Sequence, residues 1–198
     1  MNKPVIGLVG GIGSGKSLVA KLLAEHGGRI VSGDDAGHEA LRQPDIRQKV
    51  VDRFGRGILD ESGEIVRRKL AVIVFAQEQA RKDLETLVFP WIEKELEKQI
   101  ERARAEPDVR FVIVDAAVML EAGWAWVCDR LIFVDAPREI RMRRLQERGW
   151  SVDQTEAREK AQWSLVQKRH QATAIIDNSG DRAETARQVE ALVQKWKL

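Results

Sequence analysis

The segment Gly10-Gly11-Ile12-Gly13-Ser14-Gly15-Lys16-Ser17 follows directly on the apolar run Pro4-Val5-Ile6-Gly7-Leu8-Val9 and leads into the amphipathic run Leu18-Val19-Ala20-Lys21-Leu22-Leu23-Ala24. Strand, glycine-rich turn and helix in that order, with G-x-x-x-x-G-K-[ST] spanning the turn, predict a phosphate-binding loop for a nucleoside triphosphate. The glycines are needed because only a backbone without Cβ atoms can wrap its N–H groups around a phosphate chain, in dihedrals closed to other residues. Lys16 then supplies a point charge for the β- and γ-phosphates. Ser17 opens the following helix, where its hydroxyl is placed to ligate Mg²⁺ and the partly positive helix N-terminus faces the anion. The expected nucleotide-binding residues are therefore Gly10, Gly11, Ile12, Gly13, Ser14, Gly15, Lys16 and Ser17.

A length of 198 residues fits one α/β domain with a real core and room for insertions. Lysine plus arginine number 33 against 31 acidic residues, a near balance that argues against a general nucleic-acid-binding surface. A lone cysteine, Cys128, rules out an internal disulfide framework and suits a reducing compartment, so the chain is expected in the cytoplasm. The apolar start superficially resembles a short signal peptide, but glycines interrupt it and the phosphate loop consumes it. No other run approaches the ~18 apolar residues of a membrane span, so no membrane partner is expected. Nothing in the composition fixes an oligomeric state.

Apolar runs of strand length recur at Val5 to Val9, Arg29 to Ser32, Phe111 to Val114, Leu131 to Val134 and Ala174 to Ile176, separated by segments of helical period. Such alternation predicts a parallel sheet wrapped by helices, with ligands beyond the carboxyl ends of the strands. The residues that end the runs are Gly10, Asp34, Asp115, Asp135 and Asp177; four aspartates on one rim would repel unless cations share the site. The stretch between the second and third strands is too long for a simple connection and reads as a helical insertion. Its later half carries an apolar stripe at Leu84, Leu87, Val88, Ile92, Leu96 and Ile100, with Pro90 expected to kink it or start a fresh helix. Leu59 to Glu64 reads as a turn.

Five arginines crowd the run from Arg138 to Arg148. Arg143 has Glu139 and Glu147 four residues away on either side and is expected to be compensated by them. Arg141, Arg144 and Arg148 share a face on which only Arg144 has a nearby carboxylate, Glu147, a trio that is costly unless an anion such as triphosphate visits it; a merely solvated basic helix is the alternative. Ser151 to Gln154 fits a capping box that starts the next helix, leaving a short hinge at Gly149-Trp150, and the two helices together read as a lid.

Phosphoryl transfer needs something to orient or deprotonate the acceptor, and Asp34-Asp35 at the mouth of the second strand supply candidates. Strand parity aims Asp34 with Ile30 and Ser32 and turns Asp35 the other way; Asp35, nearer the next helix, is the better cap, which leaves Asp34 as base. A structural role for both is the alternative. Asp115 ends a Walker B-like strand and is expected to hold Mg²⁺ through water, or else to be a buried structural carboxylate. His26, His38 and His170 show no metal spacing. The six tryptophans show no interleaving with basic residues and read mostly as packing.

In order along the chain, GGIGSGKS is joined by Gly33-Asp34, Phe54-Gly55, Gly63, Arg67, Leu70, Phe75, Leu84-Glu85, Pro90-Trp91-Ile92 and Glu121. Asp129, Pro137-Arg138-Glu139, Arg144, Arg148, Gln162, Lys168-Arg169 and Ile176-Asp177-Asn178 continue the series. In this order the pieces resemble the dephospho-coenzyme A kinase family, from the first strand to Asn178. The resemblance implies a three-layer P-loop NTPase fold with a parallel sheet, a helical substrate-binding insertion (35–109) and a mobile helical lid (138–171). The nucleotide core would then comprise 1–34, 110–137 and 172–198. It implies transfer of the ATP γ-phosphate to the ribose 3′-hydroxyl of dephospho-coenzyme A, with Asp34 on the catalytic acid position and Arg144 on a phosphate-contacting lid position. Lys16, Asp34 and Arg144 are thus the expected catalytic set, Arg144 and Arg148 join the loop on the nucleotide, and Ser17 and Asp115 hold the metal. The chain departs from the family's pattern at Ser32, His38, Val66, Phe89, Ala117, Arg141 and Thr173, changes that are expected to fall on the acceptor side. The rivals are another P-loop small-molecule or nucleoside kinase, and a regulator that binds ATP without turnover. Shikimate kinase would need a Gly-Gly motif where Asp115-Ala116-Ala117 stands, and a GTPase an N-K-x-D motif that is missing.

Overall fold

The structure, a computed structural model, describes residues 3–198. Five strands, β1 (Val5–Gly10), β2 (Gly28–Ser32), β3 (Phe111–Asp115), β4 (Arg130–Asp135) and β5 (Ala174–Asp177), form one parallel sheet in the order β2-β3-β1-β4-β5. These are the strands that the apolar runs predict. The runs are nearly continuous rather than alternating because a parallel sheet is covered on both faces. Val5, Ile6 and Leu8 of β1 are accordingly fully buried. One face presents Ile6, Leu8, Phe111, Ile113, Ile132, Val134 and Ile176 to α1 (Lys16–Ala24) and α9 (Arg182–Trp196), which close the layer with Val19, Leu22, Leu23, Val189, Leu192 and Val193. Since β1 has β3 on one side and β4 on the other, the loop after it opens where the strand order reverses, the place where open parallel sheets bind ligands.

Contacts divide the described chain into two compact units, one comprising the residues up to Gly33 together with Glu97–Leu198, the other Asp34–Leu96. The second unit is helical, as the length of the insertion predicts: α2 (Gly33–Arg42) leads into it, followed by α3 (Pro44–Phe54) and α4 (Arg67–Ala76), and α5 (Glu78–Ala105) leads out. Within it the turn at 59–64 closes on a bridge between Leu59 and Ile65. There the Asp60 carboxylate accepts from the backbone N–H groups of Ser62 and Glu64, and Gly63 takes a positive φ. Pro90 lies inside α5, which continues through it instead of starting again.

The first unit also holds α6 (Arg138–Glu147), α7 (Val152–Lys160) and α8 (Leu165–Gln171). The capping box at Ser151 and Gln154 forms as expected, and equivalent boxes at Ser164/Gln167 and Asp181/Glu184 start α8 and α9. Among the described residues no helix is long and apolar enough to cross a membrane.

One expectation fails at the end of β2. Helix α2 begins at Gly33 with no loop, so Asp34 and Asp35 are both helical residues of its first turn and Asp35 is not the cap. Strand parity does not reach them, because successive helical residues differ by about 100° rather than 180°.

On the face of β1 away from α1 and α9, Gly7 lies against Leu131, Met119 and Cys128: a Cβ there would approach Leu131 Cδ2 to 2.6 Å, Met119 Sδ to 2.7 Å and Cys128 Sγ to 2.8 Å. Burial, reinforced by the Asp129 charge, pushes the Cys128 thiol up to about 12. The native protein should therefore resist thiol-alkylating reagents at pH 8, and labelling should report opening of this layer. Gly7→Ala should destabilise by about 1–3 kcal/mol through overpacking and accelerate labelling. Equal labelling rates in native and denatured protein would contradict this account.

Candidate active site

The loop Gly10 to Ser17 is built from glycines where the chain requires them. Gly13 and Gly15 have φ of 77° and 95°, and a Cβ on Gly13 would meet the Arg141 carbonyl at 2.7 Å while one on Gly15 would collide with the Asn178 amide. Lys16 Nζ folds back over the loop, 3.3 Å from the carbonyls of both Gly10 and Gly11.

Donors from outside the loop hold its carbonyls. The Ile12 oxygen accepts from Arg141 Nη1 at 3.1 Å, and the Ser14 oxygen accepts from Asn178 Nδ2 at 2.7 Å and Arg144 Nη1 at 3.3 Å. A trans peptide points its C=O and the next N–H in opposite directions, so these contacts turn the N–H groups of Gly13 and Gly15 away from the donors. Asn178 is 2% exposed; its own carbonyl accepts from Arg144 Nη2 at 2.9 Å and its Oδ1 from Thr185 Oγ1 at 2.9 Å. Burial, with the Arg143 and Arg148 charges, draws the Arg144 pKa below its usual value, against Glu147. It stays cationic at neutral pH.

Ser17 Oγ donates to Asp115 Oδ2 at 3.2 Å, which joins the first helical residue after Lys16 to the end of the Walker B-like strand. These hard oxygen atoms suit Mg²⁺, and the buried Ser14 Oγ has no protein partner among the described residues. The arrangement thus fits a magnesium-bound triphosphate. Among the described residues no three or more His, Cys, Asp or Glu side chains cluster as a metal cage.

In the second unit, exposed Asp34 and Asp35 precede His38 by about one turn of α2. His38 Nδ1 lies 3.4 Å from Arg67 Nη1. Arginine can only donate, so Nδ1 accepts and the proton of the neutral ring sits on Nε2. Burial and then the Arg67 charge lower the His38 pKa, Asp34 and Asp35 oppose them, and Arg42 adds a smaller push downward.

Several expectations are corrected here. Arg141 does not belong to an uncompensated trio: it is 4% exposed and its Nη1 meets Glu159 Oε1 at 2.6 Å. The signal was hidden because the partner lies on the next helix. Arg143 is exposed, and among the described residues no ion pair within 4 Å joins it to Glu139 or Glu147. Arg148 ends α6 with its side chain exposed. The four aspartates do not act as one cation rim. Asp135 is neutralised by Arg169 at 2.6 Å, and Asp177 Oδ1 accepts from the Ser179 N–H at 2.9 Å in a tight turn. The departures from the family pattern do not all fall on the acceptor side: Arg141 touches the phosphate loop, and Thr173 braces β4 by donating to the Leu131 carbonyl at 2.9 Å. Trp124 is packed as expected, but Trp126 and Trp163 are exposed.

Residues 4–184 match the family model described as dephospho-CoA kinase. A protein named dephospho-CoA kinase from Bacillus licheniformis is 40% identical over 194 residues, covering 97% of this chain and 96% of the relative. One of that name from Aquifex aeolicus is 39% identical, covering 96% of each. The crystal structure of TT1252 from Thermus thermophilus superposes with a TM-score of 0.81 at 30% identity over 98% of each chain. A dephospho-CoA kinase from Campylobacter jejuni shares the fold, with a TM-score of 0.63 at 21% identity over 96% of each chain.

Asn178→Ala removes donor and acceptor at once: the Ser14 carbonyl keeps only the longer bond from Arg144 Nη1, and the Thr185 hydroxyl keeps only the Asp181 carbonyl at 3.1 Å. It should cost about 1 kcal/mol per lost bond and raise the dissociation constant for ATP. Urea denaturation and calorimetric titration check both effects, and unchanged ATP affinity would remove Asn178 from the site. His38 gives a pH signature. With its folded pKa below the unfolded value of about 6.5, its contribution to stability is complete above that pH and is lost as pH falls through the folded pKa. His38→Gln should flatten that part of the acid decline in urea midpoint, and an identical pH profile would show that His38 is not linked to folding.

Proposed function

The chain belongs to the dephospho-CoA kinase family, and from that premise we propose how its residues carry out the reaction. It is a P-loop kinase that transfers the γ-phosphoryl group of ATP to the ribose 3′-hydroxyl of dephospho-coenzyme A, giving coenzyme A and ADP, the last step of coenzyme A biosynthesis. The observation that carries this reading is the family match over residues 4–184, within which the glycine loop is held by Arg144 and Asn178.

Gly10 to Ser17 bind the triphosphate through backbone N–H groups, and Lys16 and Arg144 offset the charge that develops on the phosphoryl oxygens. The acceptor oxygen forms the new bond to γ-phosphorus, the bond from γ-phosphorus to the β–γ bridging oxygen breaks, and Asp34 takes the acceptor proton. Support for Asp34 is the resemblance to the family, by which it falls on the catalytic acid position; Asp34 and Asp35 are both exposed, and the reading gives Asp35 no chemical role. Ser17, and Asp115 through water, would hold magnesium, which would supply charge neutralisation on the triphosphate. Arg148 belongs to the nucleotide-binding set as a second lid cation. The insertion 35–109 receives the acceptor, 138–171 form the lid, and 1–34, 110–137 and 172–198 form the nucleotide core. The enzyme works in the cytoplasm and binds no nucleic acid.

ADP release measured with and without dephospho-coenzyme A tests the reading: release should depend on that acceptor. Acceptor-independent release or none at all in a protein that binds ATP would overturn it, and release with shikimate alone would transfer the chain to another substrate. Lys16→Ala should lose more than tenfold in turnover, over ~1.4 kcal/mol of transition-state stabilisation. Asp34→Asn should lower kcat while leaving ATP affinity nearly unchanged, with Asp35→Asn close to native in kcat; equal damage from the two would contradict the assignment. Arg144→Ala should raise the KM for ATP and lower kcat, whereas exposed Arg143→Ala should be nearly silent in both.

A further inference from the structure

Arg141 stands where a charged residue is hard to explain by packing alone. Its side chain is 5% exposed, yet it carries a full charge into the space behind the phosphate loop. A single nitrogen, Nη1, serves two acceptors there, the Ile12 carbonyl at 3.1 Å and the Glu159 carboxylate at 2.6 Å. A Cβ on Gly11 would lie 2.9 Å from the same nitrogen, so the guanidinium and the loop backbone are in close contact.

We propose that Arg141, aimed by Glu159 of α7, is a positioning residue for the nucleotide: it fixes the Ile12–Gly13 peptide so that the Gly13 N–H is presented to phosphate. The inference rests on the reading of this loop as the ATP site and deepens it. Arg141 acts through the loop: Nη1, its nitrogen in contact with the loop, is engaged by the Ile12 carbonyl and by Glu159, while the buried Nε has no partner among the described residues. The carboxylate does two things. It fixes the direction of Nη1, and it cancels the guanidinium charge, so the pair orients the peptide without adding a net positive charge beside the triphosphate. Arg144, one turn along α6, performs the same service for the Ser14 carbonyl, and Asn178 shares it. Loop and α7 are therefore linked: α7 cannot leave its place without withdrawing the group that aims Arg141.

The test uses calorimetric titration of the full-length protein with Mg-ATP at two salt concentrations, together with steady-state KM values for ATP and dephospho-coenzyme A. Arg141→Met removes the donors, Glu159→Gln removes the charge at constant size, and Arg141→Met/Glu159→Leu replaces the whole pair by apolar atoms, the change that best preserves folding when a buried pair is lost. The double variant, which leaves the net charge of the pair at zero, should raise the dissociation constant for Mg-ATP about tenfold with the native salt dependence; Arg141→Met should weaken binding at least as much, with a flatter salt dependence because Glu159 is left uncompensated. Glu159→Gln should fall between them and native, and the KM for the acceptor should stay within about twofold. Thermal melting identifies the folded variants; should Arg141→Met fail to fold, the double variant and Glu159→Gln decide.

Mg-ATP affinity within twofold of native in a folded double variant would overturn the proposal. So would a weakened affinity accompanied by a flatter salt dependence in the double variant, which would make Arg141 a charge that attracts the anion rather than a residue that orients a peptide. Native protein that binds no ATP would overturn the reading of the loop, and the inference with it, and is distinguished from both by the native titration alone.

Discussion

The direction of two carbonyl groups, those of Ile12 and Ser14, governs the site. A glycine-rich segment has the conformational freedom to cradle phosphate and the same freedom not to. What removes the choice is the planarity of the trans peptide: once the Ile12 and Ser14 oxygens are fastened outside, the Gly13 and Gly15 N–H groups point the other way. The fasteners come from distant parts of the chain, Arg141 and Arg144 on α6 and Asn178 just after β5. The sheet brings them together, since β1, β4 and β5 are neighbours whose carboxyl ends lie side by side. A motif of eight residues thus depends for its geometry on two hydrogen-bonding regions more than a hundred residues away in sequence.

The segment from α6 to α8 is tied down by buried charges of a kind that stability alone does not favour. Lys168 is 2% exposed and donates to Glu121 Oε1 at 2.9 Å and to Gln162 Oε1 at 3.0 Å, while the Trp163 N–H also donates to Glu121 at 2.8 Å. Taking an ammonium and a carboxylate out of water costs several kcal/mol per ion, and their attraction offsets that only when geometry and remaining hydrogen bonds are good. Here the lysine finds two acceptors and one carboxylate oxygen finds two donors, although Glu121 Oε2 has none. The pair fixes the junction of α7 and α8 to the loop after β3, and Arg141–Glu159 fixes α7 to α6. Surface pairs such as Arg182–Glu25 and Arg138–Glu156 are exposed and screened, and their weight is small by comparison.

Much of this was legible because local signals and the fold agreed. The strands were visible as apolar runs, and the helical insertion from its length and from the stripe along α5. The cap of α7 was visible from Ser151 and Gln154. The same S-x-x-Q and D-x-x-E patterns at Ser164 and Asp181 start α8 and α9. Asn178, Glu121 and Lys168 entered only through resemblance to a family, since a buried asparagine or lysine announces its partners by folding and not by spacing. The parity reading of Asp34 and Asp35 failed for a local reason: the helix begins at Gly33, directly after β2, so the period changes from two to 3.6 before the aspartates are reached. Reading the charges of α6 by their spacing failed for the opposite reason, because the carboxylate that matters to Arg141 belongs to another helix.

That last failure bears on how the departures from the family pattern should be weighed. Position in sequence groups them on the acceptor side, and chemistry separates them. Thr173 uses its hydroxyl as both donor and acceptor toward Leu131, a brace between strands at the end of the sheet away from the loop. His38 sits beside Arg67 in the second unit, and as a neutral acceptor for that guanidinium it helps to orient an arginine that belongs to the family's pattern. Arg141 brings a donor to the loop and carries with it the need for Glu159, since a lone guanidinium at that depth would be an uncompensated buried charge. A substitution that requires a partner on a neighbouring helix changes the coupling between those helices, whatever it does to the site itself. For this chain the nucleotide end therefore has an individual feature of its own, and it lies in how the loop is held rather than in the loop's residues.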